Sequence, residues 1–131
     1  MNISASIKSS LNQHHTEVAT NGASKEISIA PKITGYGSSV NGGELLMLAL
    51  ATCFCNDIYR EAAKRNIQVS NVEVEVSGAF GAEGESGTNF KYKAHLVADA
   101  TDEEIAALIR DTDKVAEIQN TLRKGVQIEL V

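Results

Sequence analysis

Residues 45–55, LLMLALATCFC, would be apolar around the whole circumference of a helix. Asn41 precedes the run and Glu44 follows three residues later, the spacing of a capping box that satisfies orphan amides at a helix start. A helix is therefore predicted from about Gly42 to Arg65. Its second half, NDIYREAAKRN, is amphipathic, with solvated charges. A segment apolar on every side must be covered on every side, and one small sheet covers a single face. The other face is expected to meet a second copy of the chain.

The remaining pattern is mostly of period two. Ile3, Ala5 and Ile7 alternate with Ser4, Ser6 and Lys8, as in a half-buried strand. A second strand is predicted over His14–Thr20. The Asn21-Gly22 step suits a tight hairpin turn, and KEISIA alternates again, with Ile27 and Ile29 on one face. PKITGYGSSVNGG contains the only proline and four glycines, and is read as a connecting loop. After the helix, Val72, Val74 and Val76 of VEVEV face inward, as do Phe90, Tyr92, Ala94 and Leu96 of FKYKAHLV. Glutamates opposite lysines favour antiparallel pairing of these two strands. Their link, GAFGAEGESGTN, reads as a flexible hairpin loop. Thr101 and Glu104 form a second capping box, opening a helix with Ile105, Leu108 and Ile109 inward. A short helix from about Lys114 to Lys124 stops at Gly125, and GVQIELV is predicted to be a last strand. The order βββαββααβ belongs to the α+β class, in one domain spanning residues 1–131.

Charge and targeting signals narrow the function. Twelve basic and 17 acidic residues leave a net charge of −5, with no basic stripe, so neither nucleic acid nor an acidic membrane is an expected partner. No signal peptide is evident, and Leu45–Cys55 is far shorter than a membrane span. A cytoplasmic location follows as the default. There the two cysteines, Cys53 and Cys55, are expected to be free thiols, catalytic groups or filler rather than a disulfide. They lie about 200° apart on a helix, so their Cβ vectors diverge. His14 and His15 point to opposite strand faces and His95 is isolated, so no metal site is expected. No nucleotide-binding or serine-hydrolase motif is present, and no cofactor is implied.

The run ELLMLALATCF, the long helix with a turn near NIQ, the VEVEV strand and the ending NTLRKGVQIEL resemble the OsmC/Ohr family of thiol-dependent hydroperoxide reductases. Glu44, Leu45, Leu46, Ala49, Leu50 and Cys53 match the broad OsmC-like branch, and the likeness covers residues 35–131. It implies antiparallel sheets wrapped around a long central helix in an intertwined homodimer, with the active site at the interface. It also implies that Cys53 attacks a peroxide and that a second cysteine on a later helix resolves the oxidised sulfur. In this chain Ala116 stands at the resolving position. Residues 1–59 hold no arginine, although the family's thiolate-activating arginine lies upstream of the long helix. The arginine's glutamate partner would fall on Gly43, one residue before Glu44.

Cys53 is thus the candidate nucleophile and Cys55 a secondary thiol. Supporting roles are expected from Glu44, Asp57, Arg60, Lys32 and Tyr36. Asp57 lies four residues on from Cys53 and disfavours a thiolate, whereas Arg60 shares the stripe and offsets it. Lys32 and Tyr36, in the loop before the helix, are candidates to replace the missing arginine, although lysine lacks the planar fork. Three readings stay open. One is a peroxidase acting on organic hydroperoxides and recycled by an external thiol reductant. The others are a dimer holding a small apolar ligand and a redox sensor that responds to oxidation of Cys53.

Overall fold

A computed structural model describes residues 1–131, which divide into two compact units, Met1–Leu45 and Leu46–Val131. The first unit contains β1 (Ile3–Ser10), β2 (Gln13–Thr20) and β3 (Ala23–Glu26), paired antiparallel in that order. Asn21 and Gly22 both take positive φ, 50° and 84°, as the tight β2–β3 turn requires. Register runs from Ile3 opposite Thr20 to Ser10 opposite Gln13. The alternation in β1 is a correct sign of a strand but not of burial, since Ile3 and Ile7 are exposed. A sheet face is buried only where another layer packs on it.

KEISIA is mostly not strand. β3 ends at Glu26, and one further ladder bond, Ile27 N to Thr16 O at 3.0 Å, closes the pairing. The loop beyond folds back through a Pro31–Ser38 bridge, with Gly35 and Gly37 at φ near 90°. Asn41 then caps α1 (Gly42–Lys64) as expected. The Glu44 N–H donates to Asn41 Oδ1 at 2.9 Å, and the Asn41 N–H donates to Glu44 Oε2 at 2.7 Å. Asn66, at φ 56°, ends the helix in a Schellman turn closed by Ile67 N to Ala62 O.

The second unit packs the rest of α1 against a hairpin of β4 (Val69–Ala79) and β5 (Thr88–Ala98) and against α2 (Asp102–Val115). Val72, Val74 and Val76 lie opposite Leu96, Ala94 and Tyr92 on the inner face. Only Glu75 meets a lysine outside, Lys93 at 2.8 Å, because Glu73 falls opposite His95. Phe54, Ile58, Ala62, Leu96, Leu108 and Ala116 form the core, and the Phe54 ring meets Tyr92 edge-on at 4.9 Å. The Thr101–Glu104 capping box is formed.

Three further expectations change in this unit. The short helix expected from about Lys114 forms as α3 (Glu117–Lys124), three residues later, because α2 runs on to Val115 and Ala116 leaves helical geometry at ψ 108°. GVQIELV is not a strand. Val126, Ile128 and Leu130 have the alternation, but no edge pairs with them and all three are exposed. The charges in the second half of α1 are not all solvated, since Asp57 is 4% and Glu61 8% exposed. Cations neutralise both. Arg60 reaches Asp57, while Lys64 and Arg65 join Arg60 around Glu61. Within the chain α1 buries the stripe of Leu50, Phe54, Ile58 and Ala62, leaving Leu48 60% exposed on its other side. No helix is long and apolar enough to cross a membrane.

Candidate functional site

Helical spacing sets one wall of the site. Cys53, Asp57 and Arg60 occupy positions i, i+4 and i+7 of α1 and so share a stripe. The break at Ala116 sets the other wall, because it restarts the chain as α3 with Glu117 and Ile118 in the first turn, beside that stripe. An acidic residue suits this helix start, where free N–H groups carry partial positive charge. The half-buried Cys53 thiol donates to Asp57 Oδ2 at 3.4 Å, and its sulfur lies 4.0 Å from Glu117 Oε2. Arg60 spans the two carboxylates, 2.9 Å from Asp57 Oδ1 and 3.4 Å from Glu117 Oε1.

The electrostatics hold the proton on sulfur. Burial raises the Cys53 thiol above its ordinary value, and the charges of Asp57 and Glu117 push the same way; the Ile118 N–H, donating to the sulfur, opposes them. Asp57 is also raised, first by burial and then by Glu117, while the thiol's hydrogen bond and Arg60 work against the rise. Each group thus resists carrying charge. The Ile118 amide is a feature that sequence reasoning missed. The first turn of α3 supplies this donor, from a part of the chain that no local pattern links to Cys53.

Cys53, Asp57 and Glu117 place ligand-type atoms within 4.8 Å of one another. The Arg60 guanidinium already bridges the two carboxylates, occupying the place a cation would take between them. α3 is tied down beyond its first turn. Gln119 Nε2 donates to Leu50 O at 3.0 Å, and Arg123 Nη2 donates to Asp113 Oδ1 at 2.5 Å. The Tyr92 hydroxyl donates to the same Asp113 oxygen. Beside these ties lies a cavity of about 110 Å³ lined by Leu50, Val76, Phe90, Tyr92, Gln119 and Leu122, together with Lys91 and Arg123.

The other expected site residues have surroundings of their own. Glu44 acts as the α1 cap through Asn41. Lys32 and Tyr36 belong to residues 1–45, where Lys32 packs over Gly37 and Tyr36 is exposed, and every group holding Cys53 comes from residues 46–131. Cys55 is a free thiol on a different face, in a shallow depression with Ala51, Thr52, Asn56 and Val74. His15 pairs with Glu26 at 3.3 Å, whereas both ring nitrogens of His14 are buried without a partner.

A long capped helix, flanked by antiparallel strands and two later helices, is an arrangement shared with known proteins. The chain belongs to the OsmC-like protein family, which matches residues 35–131. Among solved structures it is similar to an OsmC-like protein from Mycoplasma pneumoniae, at 19% identity and TM-score 0.65, over 94% of this chain and 89% of that one. It is similar also to an organic hydroperoxide resistance protein OsmC from Legionella pneumophila, at 23% identity and TM-score 0.55, over 94% and 90% of the two chains. A third likeness is to an organic hydroperoxide resistance protein from Elizabethkingia anophelis, at 19% identity and TM-score 0.56, over 97% and 91%. At such identities the likeness is one of fold. Among curated proteins, none matches the chain.

Proposed function

We propose that this protein is a cytoplasmic, homodimeric thiol peroxidase that reduces organic hydroperoxides through Cys53 alone. The observation that carries the reading is the seating of the Cys53 sulfur, half-buried against the first turn of α3 with the Ile118 N–H directed at it and ionisable partners in contact. The names of the Legionella and Elizabethkingia proteins support the substrate class. In the reaction, sulfur attacks one peroxide oxygen, the O–O bond breaks, and Cys53–SH and ROOH become Cys53–SOH and ROH. Ala116 stands where the family resemblance puts a resolving cysteine, so an external thiol condenses with the sulfenic acid, releasing water. A second equivalent of that thiol frees Cys53 as a disulfide of the reductant forms.

Consumption of an organic hydroperoxide with a dithiol reductant tests this in wild type, Cys53→Ser and Cys55→Ser. Loss of activity in Cys53→Ser alone is expected. Activity surviving in Cys53→Ser refutes the assignment of the nucleophile. The mostly apolar cavity beside Leu50 and Leu122 favours a second reading, a module that holds a small apolar ligand. Inactivity of all three proteins moves the assignment there.

A further inference from the structure

Asp57 meets the reacting sulfur directly, and the charges around the pair decide what it does there. The titratable groups around its carboxylate are Cys53, Arg60 and Glu61 on α1 and Glu117 on α3. Asp57 and Glu117 against Arg60 leave the inner cluster with one net negative charge while the thiol is protonated. Releasing the thiol proton to water adds a second negative charge beside the buried Asp57 carboxylate in a half-buried setting, which the lowered dielectric penalises. Passing the same proton to Asp57 Oδ2, which lies 3.4 Å from the sulfur, leaves the cluster's charge unchanged. Arg60, on the opposite carboxylate oxygen at 2.9 Å, keeps Oδ2 turned to the sulfur.

We propose, building on the peroxidase reading above, that Asp57 is the proton-transfer residue of the reaction. Its carboxylate takes the Cys53 proton as sulfur forms its bond to the peroxide oxygen. The O–O bond breaks, the electron pair leaves on the alkoxide, and the Asp57 carboxyl protonates that alkoxide to the alcohol. Asp57 ends ionised, ready for the next cycle. Burial raises the proton affinity of Asp57 as it does that of Cys53, so the carboxyl is suited to hold the proton in transit. Asp57 thereby substitutes for an upstream arginine, activating the thiol by removing its proton rather than by stabilising a free thiolate.

The alternative role, a carboxylate that merely opposes thiolate formation, predicts effects of opposite sign. If Asp57 only opposes ionisation, Asp57→Asn reacts faster than wild type. If Asp57 transfers the proton, kcat/KM at pH 7 falls about 100-fold, within the usual range for a positioned base. The wild-type profile should be level between about pH 6 and 8, because thiol with ionised Asp57 is the reacting state, whereas attack by free thiolate climbs about tenfold per pH unit. Asp57→Glu should keep the level profile. A climbing wild-type profile, or Asp57→Asn as fast as wild type, overturns the proposal; should Asp57→Asn not fold, the wild-type profile decides alone. Alkylation of Cys53 by iodoacetamide in Cys55→Ser protein, followed by intact mass over the same pH range, separates the two layers of inference. A level alkylation rate without peroxide turnover keeps the proton transfer and removes the peroxidase. Turnover through Cys53 with climbing profiles does the reverse.

Discussion

Replacing Gln119 by Glu tests how α3 is held against α1. Gln119 is 3% exposed, its Nε2 donates to Leu50 O at 3.0 Å, and its Oε1 has no partner. A glutamate of nearly the same shape can donate to that carbonyl only when protonated; ionised, it presents acceptors to an acceptor in a buried place. The folded state therefore raises the carboxyl pKa above the unfolded value of about 4.3. Above that pH the unfolded chain has released this proton and the folded chain retains it. Unfolding then lowers proton binding, and stability falls as pH rises, by about 1.4 kcal/mol per unit until the folded pKa is passed. Two units above the unfolded value, the loss reaches about 3 kcal/mol. Below pH 4.3 both states are protonated and this penalty is absent. Urea unfolding of the variant and wild type at pH 4.5 and 6.5 measures the difference. The control, Gln119→Met, gives up a bond worth about 1 kcal/mol but also removes a buried unpaired oxygen, so its stability should stay within about 1 kcal/mol of wild type at both pH values. A pH-independent deficit in Gln119→Glu would refute the buried donor role.

Two further outcomes follow from α1. Light scattering at micromolar concentration should give about twice the chain mass, since Leu48 and its neighbours lack cover within the chain; a monomer would refute that reasoning. Hydroperoxide treatment should add oxygen or, with a thiol present, an adduct, because Cys53 and Cys55 face different ways and no third cysteine exists. Loss of two hydrogens per chain in the intact mass would show that α1 unwinds.

What was legible in the sequence is what neighbouring residues decide. Asn41 with Glu44, and Thr101 with Glu104, announce helix starts because each cap closes within one turn. Val72, Val74 and Val76 show their inward face because a strand has a period of two. The readings that failed depend on distant partners. GVQIELV alternates like a strand, yet a strand exists only where an edge pairs with it. Asp57 looks like a solvated helix charge until Arg60 and the elements around it are in place. Cys53 is singled out by family resemblance, but its surroundings are not legible in the sequence, since Glu117 lies 64 residues from Cys53 in the chain. Gln119 carried a weak signal as a polar residue at a position that α3 turns inward.

The eight-residue length of α3 has a consequence for motion. A helix this short does not hold itself together in water, so its form depends on the Gln119–Leu50 and Arg123–Asp113 ties and on the bond that Arg123 donates to the Tyr92 hydroxyl. Releasing those few ties frees the segment without melting the β4–β5 hairpin. The amides of α3 should therefore exchange with deuterium through a local opening that costs less free energy than global unfolding. The same opening carries Glu117 and Ile118 away from Cys53, so the thiol's surroundings are governed by an equilibrium among conformations rather than by one fixed arrangement.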